Sequence, residues 1–238
     1  MKKIILILAL LSISFSTKAQ NIDDFFEQSN IFFKKNVSAT KVDYESIKTN
    51  PELLNKILDN ASKIDLNGQP KLTIKAFWVN MYNLNVIKGI VAKYPIKSAL
   101  DVEGFFNKTT YLVAKENLTL DDIEKTKLRD AFKDPYVHFA IVCGANGCPP
   151  LISEAYMPDT LNEQMHDQAG LAINNPNFIK VNPTTKTVEI SKIFEWYKAE
   201  FLADYKKEMD FINIFRDVKI GDEYAVKIYE YDWSLNKK

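Results

Sequence analysis

Apolar and polar positions along the first hundred residues recur at close to helical period. In IDDFFEQSNIFFKK, residues 22–35, Phe25, Phe26, Phe32 and Phe33 return on one side. NPELLNKILDNASKI, residues 50–64, puts Pro51 at a helix start with Leu53, Leu54, Ile57 and Leu58 on one side. KLTIKAFWVNMYNLNVIKGIVAKY, residues 71–94, reads as one long helix ended before Pro95. It is apolar almost all round, so it is expected to be central and buried. On a helical wheel Asn80 and Asn83 fall among Leu72, Ala76, Ile87, Ile90 and Val91. A buried amide without partners costs about 1–3 kcal/mol. Each is therefore expected to bond to something specific: the backbone of a neighbouring loop, a catalytic group, or an oxyanion.

The period changes after residue 100. Residues 110–119 alternate as a short hairpin, with Glu116-Asn117 expected at the turn. Thr119-Leu120-Asp121-Asp122 resembles a capping box opening a helix through Phe132. Within it Glu124 and Lys127 share the apolar stripe and are expected to form an i,i+3 ion pair. YVHFAIVC, residues 136–143, is an apolar run between Pro135 and Gly144 and reads as a central strand. Residues 159–175 read as a helix capped by Asp159 or Thr160 and carrying His166. FIKVN and TVEIS form a hairpin around residues 183–186. Ser191 caps a short helix, KIFEWYKAEF; FINIFRDV is another, and YAVKIYEYDW is a strand. The sum is α+β: a helical N-terminal part packed on a small, mostly antiparallel sheet, with no βαβ rhythm.

Composition adds a compartment and excludes some partners. The 31 basic and 31 acidic residues balance, and no block of like charge occurs, so nothing points to nucleic acid. The opening MKKIILILALLSISFSTKAQN has a lysine pair, a short apolar run from Ile4 to Phe15 and a mostly small-residue exit. That is the form of a secretory signal peptide cleaved between Ala19 and Gln20, not of a transmembrane span. The expected organisation is a signal peptide over 1–19, a helical extension over 20–69 and an α+β domain over 70–238. The expected location is secreted or periplasmic.

The segment HFAIVCGANGCPP, residues 138–150, holds both cysteines and one of the two histidines. Three readings of it stay open. A zinc clip fits poorly, because four residues separate the cysteines and no second pair exists; neither metal nor cofactor is expected. A Cys143–Cys148 disulfide fits an exported strand and turn. A catalytic thiol at Cys148 fits Pro149 as the first residue of a helix, whose dipole would lower the thiol pKa. His138 is then the obvious base. Five residues of strand, however, would carry the chain about 16 Å from His138 to Cys143, which leaves His166 as the other candidate.

Four stretches also carry a family resemblance: KAFWVNMYN at 75–83, LTLDDIEKTKLR at 118–129, VHFAIVCGANGCPPL at 137–151 and ISKIFEWYKAEF at 190–201. In this order and spacing the chain resembles the domain of unknown function 547 family over about residues 70–205. The family pattern has Ser where this chain has Gly147, and Asp where it has Glu200. The family description implies no activity. Extending it, Glu124, His138 and Cys148 would form a papain- or transglutaminase-like triad supported by Asn80 and Asn83. The protein would then be a thiol-dependent hydrolase or acyltransferase acting on a peptide or amide. The competing class is a non-catalytic exported domain, with a Cys143–Cys148 disulfide, that binds a peptide or small molecule. There Trp78, Tyr82, Trp196 and Tyr197 pack a core or line a groove.

Overall fold

The computed structural model describes residues 22–238; the expected signal peptide lies outside the described residues. Helix α1, residues 22–36, buries Phe25, Phe26, Phe32 and Phe33 as their spacing predicts. A minimal hairpin follows, β1 (Val37–Ser38) with β2 (Lys41–Val42). Helix α2 (Tyr44–Thr49) opens on Asp43, whose carboxylate accepts from the Ser46 N–H, and α3 (Glu52–Lys63) opens on Pro51. Helix α4 (Lys71–Lys93) is the axis of the molecule and buries every residue from Lys75 to Ile87. Lys75 survives there by pairing with Asp134.

β3 (Tyr111–Val113) pairs with β4 (Glu116–Leu118) as the expected hairpin, but its turn is Ala114-Lys115, not Glu116-Asn117. Both turn residues have positive φ, 47° and 68°, the twist that suits a two-residue connection. The capping box is as expected: Thr119 Oγ1 accepts from the Asp122 N–H, and the Asp122 carboxylate accepts from the Thr119 N–H. The helix it opens is not uniform. An α turn, α5 (Leu120–Asp122), passes into a π-helix over Ile123–Arg129 and back to an α turn, α6 (Asp130–Phe132).

The expected central strand at 136–143 is instead a helical turn, α7 (Val137–Ala140), followed by extended chain. Asp134 turns the backbone here: its carbonyl accepts from the Val137 N–H and its carboxylate from the Tyr136 N–H. The strand reading failed because the turn is buried on all sides. Val137 and Ala140 face one hydrophobic cluster and Phe139 another. A short continuous apolar run does not distinguish these cases.

Beyond it, α8 (Leu161–Asn174) leads into the one three-stranded sheet among the described residues. β5 (Ile179–Asn182) pairs antiparallel with β6 (Thr187–Ile190), and β6 pairs parallel with β7 (Ala225–Ile228). The two other sheets among the described residues, β1–β2 and β3–β4, are antiparallel hairpins, and the architecture is α+β. KIFEWYKAEF breaks at Tyr197 into α9 (Ile193–Trp196) and α10 (Lys198–Phe201); α11 (Glu208–Phe215) follows. The last expected strand stops at Ile228. The Tyr229 N–H still donates to the Ile190 carbonyl, and residues 231–236 then lie along the loop that bears the cysteines.

Apolar burial falls into two clusters. One surrounds α4 and takes residues 22–165 together with Leu235. The other joins Phe139, Ala145 and residues 169–231. Tyr136 and Cys148 pack against both.

Candidate functional site

Where the clusters meet, a cavity of about 370 Å³ opens, with His138, Glu124, Cys143 and Cys148 in its wall. The buried amides of α4 place the chain that forms it. Asn83 Nδ2 donates to the Ala140 carbonyl at 2.9 Å, and the Val142 N–H donates to Asn83 Oδ1 at 2.8 Å. One side chain thus pins the segment between His138 and Cys143. Asn80 does the same for residue 156, donating to its carbonyl at 2.8 Å and accepting from its N–H at 3.0 Å. The backbone of a neighbouring loop, rather than a catalytic group, takes both amides.

The thiol loop is held from the other side by the C-terminal segment. The N–H groups of Asn146 and Gly147 donate to the carbonyls of Ser234 and Asp232, and Asn236 donates back to Gly144. Gly144 has φ +84°, and a Cβ there would meet Ile90 Cδ1 at 2.5 Å, so the turn requires glycine. An added Cβ at Gly147 would stand 3.0 Å from the Tyr231 ring and from the Asp232 backbone. Cys143 and Cys148 are unbonded, with sulfurs 2.9 Å apart. The Tyr231 hydroxyl lies 3.1 Å from Cys148 Sγ and 3.3 Å from Cys143 Sγ. The Cys143 N–H donates to Cys148 Sγ at 3.2 Å.

These contacts separate the two thiols. Burial raises Cys148, but hydrogen bonds from Cys143, Tyr231 and the backbone bring it below its ordinary value. Cys143 is pushed well above its ordinary value by its bond to Cys148, by burial and by the Cys148 charge. Burial and both sulfurs raise Tyr231, which stays a hydroxyl and a donor. No helix begins at Pro149; the next is α8. The expected dipole is absent, and hydrogen bonding lowers the thiol instead.

α7 shortens the path from His138 to the thiols, because a helix rises only about 1.5 Å per residue. The imidazole stacks on Tyr197, with ring centroids 3.7 Å apart and planes inclined by 18°. Its Nε2 lies 2.7 Å from Glu200 Oε2. Arg129 grips the other oxygen of Glu200 through Nε at 2.8 Å and Nη2 at 2.5 Å. Burial acts to raise the Glu200 carboxyl, but the bonds from His138 and Arg129 hold it down at about 2. Glu200 is therefore ionised at neutral pH. An ionised carboxylate only accepts, so His138 Nε2–H donates in this bond.

Glu124 is not the carboxylate behind His138. It accepts the Tyr197 hydroxyl at 2.7 Å and stands 3.6 Å from Arg129. The π-helix explains both this and the missing Glu124–Lys127 pair. Its i→i+5 bonding brings Glu124 toward Arg129 and turns Lys127 to Glu116, 2.7 Å away. His166 is not at the cavity; it is exposed on α8 beside Tyr136 and Phe215. Glu200 was within reach of the sequence, inside the WYKAEF block. Tyr231, 83 residues from Cys148, left no local signal.

Sequence comparison gives a partial match. Residues 66–170 match the model of the family described as protein of unknown function, DUF547. The match takes in Asn80, Asn83, Glu124, His138 and both cysteines, and ends before Tyr197, Glu200 and Tyr231. Neither curated proteins nor solved structures gave a match. Over residues 66–170, then, this chain resembles the DUF547 family, whose description assigns no activity.

Proposed function

We propose that the protein is an exported thiol hydrolase or acyltransferase acting on a peptide or amide, with Cys148 as nucleophile, His138 as base and Glu200 behind it. The observation carrying this reading is that an imidazole oriented by an ionised carboxylate shares one cavity with the lower-pKa thiol. His138 Nδ1 takes the Cys148 proton, and the thiolate attacks the substrate carbonyl. The C–N bond breaks as His138 returns the proton to the leaving amine, giving a thioester. Water or another acceptor, deprotonated by His138, then displaces Cys148. Tyr231 stabilises the thiolate, and Glu124 holds Tyr197 beneath the imidazole. The roles are papain-like, with Glu200 in the place first expected for Glu124.

Alkylation of the reduced protein with iodoacetamide across pH, mapped by peptide mass, tests this. Cys148 should react faster than Cys143 at neutral pH, with an apparent pKa below the reference of about 8.5. His138→Ala should raise that value. Equal rates, or a profile indifferent to His138, would remove the hydrolase. The sulfur contact favours a second reading, a non-catalytic binding domain whose loop is fixed by a Cys143–Cys148 disulfide. A bridge that persists under mild reduction would favour it.

A further inference from the structure

The chemistry above gives no role to Phe106, Asp121, Trp196 or Trp233, which line the cavity. Tyr231 and Glu124, which that chemistry does use, line the same cavity beside them. Ring centroids of Tyr231 and Trp233, and of Trp196 and Tyr231, lie 4.9 Å apart, inclined by 58° and 51°. Trp196 and Trp233 are 6.0 Å apart, and Phe106 is 6.4 Å from Trp233. None of these pairs is stacked face to face, so the rings are inclined walls with π-faces left for a ligand. Trp196 is 43% exposed, unusual for a tryptophan in contact with two other rings.

We infer that this aromatic wall and its two carboxylates select substrates carrying a cationic amine on an apolar stem. The charges of the site decide the sign. Three carboxylates, Glu200, Glu124 and Asp121, stand at or beside the cavity; Arg129 bonds Glu200 and lies 3.6 Å from Glu124, His138 bonds Glu200, and neither is paired with Asp121. Arg129 also covers Tyr197, 4.7 Å from its ring centroid, and no cation covers Phe106, Trp196, Tyr231 or Trp233 among the described residues. Asp121 lies on an exposed position of α5. Its carboxyl is held above the ordinary range by desolvation and by Glu124 and Asp122, with no cation offsetting them. An ammonium entering the cavity meets ring faces that attract it and relieves that repulsion. A carboxylate meets the reverse, and a neutral chain gains burial alone.

This inference rests on the cavity being the substrate site, and its test is independent of catalysis. Mature Cys148→Ala protein is titrated with n-butylammonium, 1-pentanol and pentanoate, followed by calorimetry and tryptophan fluorescence. Butylammonium should bind saturably and about tenfold tighter than pentanol, with pentanoate weakest. Asp121→Asn, on an exposed side chain, and Trp233→Leu should each weaken butylammonium severalfold and change pentanol less. Equal affinity for pentanol, tighter binding of pentanoate, no saturable ammonium binding, or indifference to Asp121→Asn would each overturn it. Ammonium binding beside an inert Cys148 would remove the hydrolase and keep this site. A reactive Cys148 without ammonium preference would do the opposite.

Discussion

At the scale of single residues, the site turns on what Glu200 does to its neighbours. It is a half-buried carboxylate, and burial alone would raise it; three hydrogen bonds from His138 and Arg129 reverse the sign. A carboxyl held at about 2 in the fold, below its ordinary 4.5, stabilises the folded state wherever the unfolded chain is ionised. That contribution is complete above the unfolded value and is lost as pH falls from about 4.5 through about 2. The urea midpoint of the native protein should therefore exceed that of Glu200→Gln by a constant margin above about pH 5. The margin should close toward pH 2. A margin independent of pH would mean that the carboxylate contributes nothing as an ion. The same substitution should slow Cys148 alkylation at neutral pH, because the imidazole loses the acceptor that fixes its tautomer.

At the scale of elements, α4 carries the site through its buried amides and lines the cavity with Tyr82. Asn83→Leu leaves the Ala140 carbonyl and the Val142 N–H unpaired in a buried place. It should lower stability by about 1–3 kcal/mol by urea unfolding, and should slow Cys148 alkylation further by releasing the segment after His138. Both amides were legible in the sequence, because a polar residue in an apolar arc states its own demand for a partner. The capping box at Thr119 and the hairpins were legible for the same reason: the signals lie within a few residues. α7 was not. Four buried residues touching two clusters have no period to read. The π-helix was not either. Its i→i+5 bonding rotates the side chains after Ile123 out of α phase, so a wheel pairs Glu124 with Lys127 where the fold brings Arg129 and Tyr197. The part of the site that escaped the sequence is the part set by that rotation and by the return of residues 231–236 to the thiol loop.

At the scale of the whole molecule, the thiol site is assembled from both clusters, so its redox state depends on the fold and on the compartment together. The C-terminal segment holds the loop through Gly144, Asn146 and Gly147, and this keeps the two sulfurs in contact. If residues 1–19 direct export, the chain folds where disulfides persist, and no other cysteine competes for either partner. Intact-mass measurement of protein recovered from the periplasm or medium should then show Gln20, or its cyclised form, at the N-terminus. The mass should be about two hydrogens below that of the dithiol, from a Cys143–Cys148 bridge. Alkylation before reduction should label neither cysteine; after reduction it should label Cys148 first. Full-length protein retained in the cytoplasm would remove the export reading. Two free thiols in exported protein would remove the bridge and leave Cys148 continuously available. A bridged protein would need a reductant in its own compartment before its thiol could act, and that requirement separates the catalytic from the structural reading: dithiothreitol should uncover a fast-reacting Cys148 in the first and two ordinary, similarly reactive thiols in the second.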